Sequence, residues 1–191
     1  KGVFYKNNWG INKTLFSRDG KKVITAGEDG VIRIWDIKEI QNEYSINAHT
    51  GWIMDMALSP DGNQLASVGD DQRIKIWNMN TYSREMTILA HRNWIHYVEY
   101  SPDGEKIITA GKDSAVRIWN ANNGNHIKTI DDFNGEVFTA SFSPDGKYFV
   151  TAAKDGTMRI YRTNSGELVE FKKLDQDNWF LNAYFDHSGD R

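Results

Sequence analysis

Several kinds of residue recur in this chain at one fixed step. Trp35, Trp77 and Trp119 stand 42 residues apart, and Tyr161 follows at the same interval. Asp29, Asp71, Asp113 and Asp155 keep that step, as do the Asp-Gly pairs at 19–20, 61–62, 103–104 and 145–146. All three prolines, Pro60, Pro102 and Pro144, occupy one repeat position, and His49 and His91 share another. Such a period means one supersecondary unit used repeatedly, each unit burying the apolar face its neighbour cannot bury alone. Residues 179–191 restart the pattern with a one-residue slip.

Within a unit the signal is all strand. In residues 52–88, WIMDMALS reads as a first strand, SPDG as a turn, QLASVG as a second strand, DDQ as a tight turn, RIKIWN as a third strand and REMTIL as a fourth. Each run is short, rich in β-branched and aromatic residues, and bounded by Gly, Asp or Asn. No stretch sustains a helical period. The expected fold is therefore all-β, with four-stranded antiparallel units centred near residues 10–46, 52–88, 94–130 and 136–174, a length that suits propeller blades. The first strand carries one irregularity. Its large apolar positions (Ile53, Met56, Leu58; Ile95, Val98, Tyr100; Val137, Ala140, Phe142) step by three and then two. A step of three flips the strand face, so an extra residue near 54–55 and its equivalents predicts a β-bulge in each blade.

Composition narrows the function classes. The chain has no cysteine, which removes disulfides, thiol chemistry and cysteine-based zinc sites. Net charge is −3, which argues against a nucleic-acid partner. No apolar run approaches the ~20 residues of a bilayer span, and no signal peptide is visible, so no membrane partner and a cytoplasmic location are expected. The chain begins at Lys1 without Met, which leaves its native start open. The single N-x-T triplet at Asn12–Thr14 carries no weight.

These residues resemble the WD-repeat β-propeller family, with a His, then SPDG, then Ser or Thr, then a turn Asp, then Ile-Arg/Lys-Ile-Trp-Asp/Asn. The resemblance implies a structural hydrogen-bonded tetrad in each blade. The residues that match are His49, Ser67, Asp71 and Trp77 in blade two, and His91, Thr109, Asp113 and Trp119 in blade three. Blade one keeps Thr25, Asp29 and Trp35 but has Asn7 for His. Blade four keeps Thr151 and Asp155 but has Phe133 and Tyr161 at the ends. Propellers of this family mostly have seven blades. The resemblance thus implies an open segment of a larger ring, with a preceding strand tip at Val3–Tyr5, the first strand of a further blade at 179–186, and the remaining blades supplied by the rest of the chain or another chain.

An Asp, a His and a hydroxyl also suggest a catalytic triad. The set recurs in two blades and ends on an indole with no acid–base role, so the reading is structural and not an enzyme. No nucleophile elbow, zinc helix or phosphate loop is present, and His96, His126 and His187 show no ligand spacing. No cofactor and no metal are expected. Arg33, Lys75, Arg117 and Arg159 recur two residues before the aromatic and are expected beside it, by cation–π contact.

The remaining expectation is a scaffold that binds a peptide or partner domain on one face. In each blade the loop into strand one and the turn between strands two and three lie at the same end, because antiparallel strands alternate direction. The resemblance marks that end, the top face, as the docking surface. The loop supplies Trp52, Trp94 and Trp179, with Met54, His96, Phe138 and Leu181 two residues on; the turn supplies Glu28, Asp70, Lys112 and Lys154. Acids from the first two blades and bases from the next two predict a charge gradient. A Trp placed there either anchors a partner or packs on the neighbouring blade. The alternatives are a regulatory or sensor propeller fused to an effector outside this segment, and a propeller enzyme with channel acids, for which the sequence shows no convergent acid pair.

Overall fold

The computed structural model describes residues 9–39, 41–174 and 178–186. Val3–Tyr5, Asn7 and His187 lie outside the described residues. Sixteen strands form four antiparallel sheets, each built from four consecutive strands, and the described residues contain no helix. The first sheet is β1 (Ile11–Phe16), β2 (Lys22–Gly27), β3 (Val31–Asp36) and β4 (Gln41–Asn47). The second is β5 (Ile53–Leu58), β6 (Gln64–Gly69), β7 (Arg73–Asn78) and β8 (Arg84–Leu89). The third is β9 (Ile95–Tyr100), β10 (Lys106–Gly111), β11 (Val116–Asn120) and β12 (His126–Ile130). The fourth is β13 (Val137–Phe142), β14 (Tyr148–Ala153), β15 (Thr157–Arg162) and β16 (Leu168–Lys173). The first strands β1, β5, β9 and β13 lie side by side and form the inner edge; the fourth strands are the most exposed.

The core lies between sheets, because a single sheet has no interior. Ile24, Ile32, Ile34 and Ile46 of blade one meet Ile53, Met56, Leu65 and Trp77 of blade two. Val68, Ile74 and Ile76 of blade two meet Val98, Tyr100, Ile107 and Trp119 of blade three. Ile108, Val116, Ile118 and Ile130 of blade three then meet Phe133, Val137, Phe149 and Tyr161 of blade four. The middle strands are covered on both faces, which is why ITAG, LASVG and IITAG read as nearly continuous buried runs rather than alternating ones.

The bulge predicted from the three-then-two spacing is present in all four blades. The ladder between strands one and two jumps from Ile11 to Lys13, Ile53 to Asp55, Ile95 to Tyr97 and Val137 to Thr139. The extra residue is Asn12, Met54, His96 or Phe138. Where the sequence suggests a further strand over 179–186, the structure shows no strand at residues 178–186. A strand needs a hydrogen-bonded neighbour, and the described residues offer none. The segment still packs as an inner strand would: Phe180, Ala183 and Phe185 sit on Val150, Ala152 and Ile160, with the same three-then-two spacing.

Two polar devices cross between blades. The buried Asp55 carboxylate takes Lys13 Nζ from blade one at 2.6 Å and the Val98 N–H from blade three at 3.1 Å. It thus ties three inner strands together. Near the outer edge, Tyr82 adopts a left-handed backbone (φ 56°) where blades three and four have Gly124 and Gly166. That conformation is costly for a bulky residue. It is held by a stack on Tyr44 at 4.9 Å and a 2.9 Å hydrogen bond from Lys22 Nζ to the phenol oxygen, both from blade one.

Two substitutions test this packing. Asp55→Ala strands Lys13 and the Val98 N–H and is expected to cost about 1.5–3 kcal/mol, the range for hydrogen bonds to charged groups. Trp119→Ala removes a buried indole from the interface of blades two and three and is expected to cost about 3–5 kcal/mol. Chemical denaturation measures both.

Candidate functional site

The tetrads come first, since they position the face beyond them. In blade three the Trp119 indole N–H donates to Thr109 Oγ1 at 3.0 Å. Thr109 Oγ1 lies 2.8 Å from His91 Nε2, and His91 Nδ1 lies 2.8 Å from Asp113 Oδ1. A carboxylate can only accept, so Nδ1 carries the proton and Nε2 accepts from the hydroxyl. One proton per link connects the four side chains. Blade two repeats the chain through Trp77, Ser67, His49 and Asp71, at 2.9, 2.7 and 2.8 Å. Ser67 and Thr109 are fully buried, so no substrate reaches either hydroxyl.

The ends of the chain differ among blades. In blade one the Trp35 N–H donates to Thr25 Oγ1 at 2.9 Å. In blade four, Phe133 meets Tyr161 edge-on at 6.2 Å, and the Tyr161 hydroxyl donates to Asp132 Oδ1 at 2.8 Å. Arg159 takes over the polar role: it lies over the Phe133 ring at 4.6 Å and binds Asp155 at 3.0 Å. The ring beneath it is Phe133 and not Tyr161, the aromatic two residues on that the sequence suggests. Elsewhere the recurrent cation does something the sequence reading missed. Arg33, Lys75 and Arg117 reach the turn Asp four residues earlier, at 2.7, 3.4 and 2.8 Å. The i,i+4 spacing across a two-residue turn was the available signal.

Charge states follow from these contacts. Burial would raise the Asp113 carboxyl, but hydrogen bonds from His91, the Arg92 N–H and Arg117 outweigh it and hold the group below the carboxylate range. Asp71 is likewise lowered, burial being outweighed by His49 and Lys75. Burial, with the Arg117 charge nearby, pushes the His91 imidazole below its ordinary 6.5.

At the top of each inner strand, one backbone bond recurs in all four blades. The residue before the turn Asp donates its N–H to the residue before strand one: Glu28 to Gly10, Asp70 to Trp52, Lys112 to Trp94, Lys154 to Glu136, at 2.8–3.1 Å. The bond sets these side chains next to each other. Lys112 Nζ sits 4.5 Å above the Trp94 ring. Lys154 Nζ is 3.1 Å from Glu136 and 5.0 Å above Trp179. The rings also touch across blades, Trp52 with Trp94 at 6.1 Å, His96 with Phe138 at 5.7 Å, and Phe138 with Trp179 at 6.1 Å. Trp52 remains 41% exposed, Trp179 53% and Leu181 59%, while Trp94, Met54 and Asp70 are half-buried. Each Trp therefore packs on a neighbouring ring and still presents a face to solvent.

Glu136 is a member of this face that sequence reasoning missed. It is bracketed by Lys154 and by His96 Nε2, the latter at 3.1 Å. Burial would raise its carboxyl, but these two partners hold it low. Burial lowers the His96 imidazole more than Glu136 raises it. A second omission lies on the inner edge. The sequence shows no convergent acid pair, yet Asp55 and Glu99 stand on adjacent strands β5 and β9, and burial raises both carboxyls. Both are engaged: Asp55 as described, Glu99 by the Tyr97 hydroxyl at 2.8 Å. They fall together because the bulge turns residues 55 and 97 to one side, which a one-dimensional spacing does not reveal.

A series of four-stranded sheets packed face to face, two of them carrying a complete Trp–hydroxyl–His–Asp chain, defines a β-propeller of WD type. A sequence model of the WD40 family (WD domain, G-beta repeat) matches residues 2–36, 40–78, 83–120 and 124–162, and the chain belongs to that family. Eukaryotic translation initiation factor 3 subunit I of Culex quinquefasciatus is 45% identical to it over 49 residues. That match covers 26% of this chain and spans only 15% of the relative's length. No helix among the described residues is long and apolar enough to cross a membrane.

The tetrads predict a pH response. Below the unfolded histidine value of 6.5, the unfolded state binds a proton that folded His91 resists, so stability falls on acidification. The lowered Asp71 and Asp113 add a further loss as pH drops through the ordinary carboxylate value of 3.8. The raised Asp55 and Glu99 carboxyls act in the opposite sense, so the His91 contribution is read as a difference: from pH 6.5 toward about pH 5 the melting temperature of the parent should fall relative to that of His91→Asn.

Proposed function

We propose that this chain is a non-catalytic scaffold that docks a peptide or a partner domain on its top face. The observation that carries the reading is two groups of touching rings on one face, Trp52 with Trp94 and His96 with Phe138 and Trp179, studded with Lys112 and Lys154. Large rings with one face free and a charged neighbour are the composition of interface hot spots. Glu28, Met54 and Asp70 extend the face toward blades one and two. The rings are held by backbone bonds and by each other, so little ordering entropy is lost on binding. The relative's name makes that protein a subunit of a larger factor, which supports the same reading: a subunit holding other proteins in an assembly.

The test compares rim and core. Trp94→Ala and Lys112→Glu should each weaken a partner recovered with the parent protein while changing stability by less than about 1 kcal/mol, as surface changes do. Trp77→Ala should lose binding only in proportion to lost folding. If Trp94→Ala unfolds the protein, or cross-links place the partner on the opposite face, the docking assignment is wrong.

A further inference from the structure

The rim pairs differ in sign in a way the recurrent backbone bond makes meaningful. The same N–H to carbonyl contact places Glu28, Asp70, Lys112 and Lys154 at one equivalent position in four consecutive blades. Read in order along the inner edge, they are carboxylate, carboxylate, ammonium, ammonium. The two rings between the halves, Trp52 and Trp94, lean on each other at 6.1 Å across blades two and three. The acids beside this basic half are met inside the protein, Asp113 by Arg117, Asp155 by Arg159, and Glu136 by His96 and by Lys154, which Glu136 shares with any ligand. Lys112 has an aromatic face beneath it rather than a counter-ion. A cation held over a ring is not neutralised by it and stays available to a carboxylate from outside. Farther out, exposed Asp131 and Arg92, of opposite charge, line one cleft, and Asp132 is taken by Arg159 and Tyr161. The sign pattern therefore belongs to the inner rim.

We propose that this rim binds a single polypeptide segment of bipolar charge. Its acidic end lies over blades three and four at Lys112 and Lys154, its basic end over blades one and two at Glu28 and Asp70, and an apolar side chain between them seats on Trp52 and Trp94. The inference rests on the top face being the docking surface and adds the partner's chemistry. Complementary charge at both ends fixes direction as well as place, because the reversed segment sets like charges against each other. The apolar anchor supplies the affinity that exposed ion pairs do not.

The experiment uses the full chain and synthetic peptides of about twelve residues, each spanning about 40 Å when extended. Two bipolar peptides carry Glu at one end, Lys at the other and Leu-Trp between, one in each chain direction. One control alternates the same charges around the same centre, and a second is acidic at both ends. Fluorescence anisotropy at low and high salt reads the affinities. At least one bipolar peptide is expected to bind about tenfold tighter than either control, with the advantage shrinking as salt screens the charges. Lys112→Glu with Lys154→Glu should remove that advantage. Glu28→Lys with Asp70→Lys should instead move the preference to the all-acidic peptide, a gain that misfolding cannot produce. Equal binding of the alternating peptide, a preference of the parent protein for the all-acidic one, or no binding by either bipolar peptide overturns the proposal. Trp94→Ala separates the two layers. If it weakens every peptide while charge order is ignored, the docking face stands and the bipolar segment falls. If peptides bind and Trp94→Ala changes nothing, the docking face itself is wrong.

Discussion

A sheet whose middle strands are apolar on both faces cannot be stable alone, and that constraint organises this molecule. β2, β6, β10 and β14 are buried along almost their whole length, although no sheet here has an interior. Burial comes from neighbouring blades and, on the far face of β14, from residues 180–185. Removing apolar area from water is worth roughly 25 cal/mol per Å², and in this fold nearly all of that gain is made between repeats. Equal repeats then stack at equal intervals, the first strands line up along one edge, and any residue type kept at one repeat position becomes a row in space. The rim pairs are such a row.

The tetrad performs one task with interchangeable chemistry. It links a loop residue, a second-strand hydroxyl, a turn carboxylate and a third-strand aromatic, each of which would otherwise be a buried polar group without a partner. Blades two and three do this with imidazole as the proton-passing centre. Blade four dispenses with imidazole: Phe133 fills the volume, Arg159 carries charge to Asp155, and Tyr161 finds Asp132 instead of a hydroxyl. What persists is the anchoring of the turn Asp, and with it the position of the residue just before it. That residue is Glu28, Asp70, Lys112 or Lys154, so the fold's internal clamp also positions the charged side chains of the rim.

The bulge has a comparable double use. One extra residue per first strand turns Met54, His96 and Phe138 upward toward the rim and turns Asp55 and Tyr97 toward the neighbouring inner strands. The same irregularity thus builds the aromatic band and the polar contacts that hold inner strands to one another. Asp55 shows how tight that coupling is, accepting from Lys13 on one side and Val98 on the other.

Period, strand order, bulge position and tetrad membership were all legible in the residues, because each depends on local chemistry repeated often enough to be read against itself. The rim positions were legible for the same reason: antiparallel alternation decides which end of a strand a residue occupies. Other features depended on neighbours distant in sequence. Glu136 joined the site through His96, 40 residues away, and Lys154; Tyr82 takes a glycine's conformation while packed on Tyr44 and bonded to Lys22 of another blade. Residues 180–185 carried an inner strand's spacing and packing yet formed no ladder, since pairing belongs to two segments and not one. The sequence by itself determined which blades form and where their rims lie, through periodic burial and turn chemistry. Only the tertiary structure decided which rim side chains meet, because contacts between blades are set by the angle and spacing at which whole sheets stack.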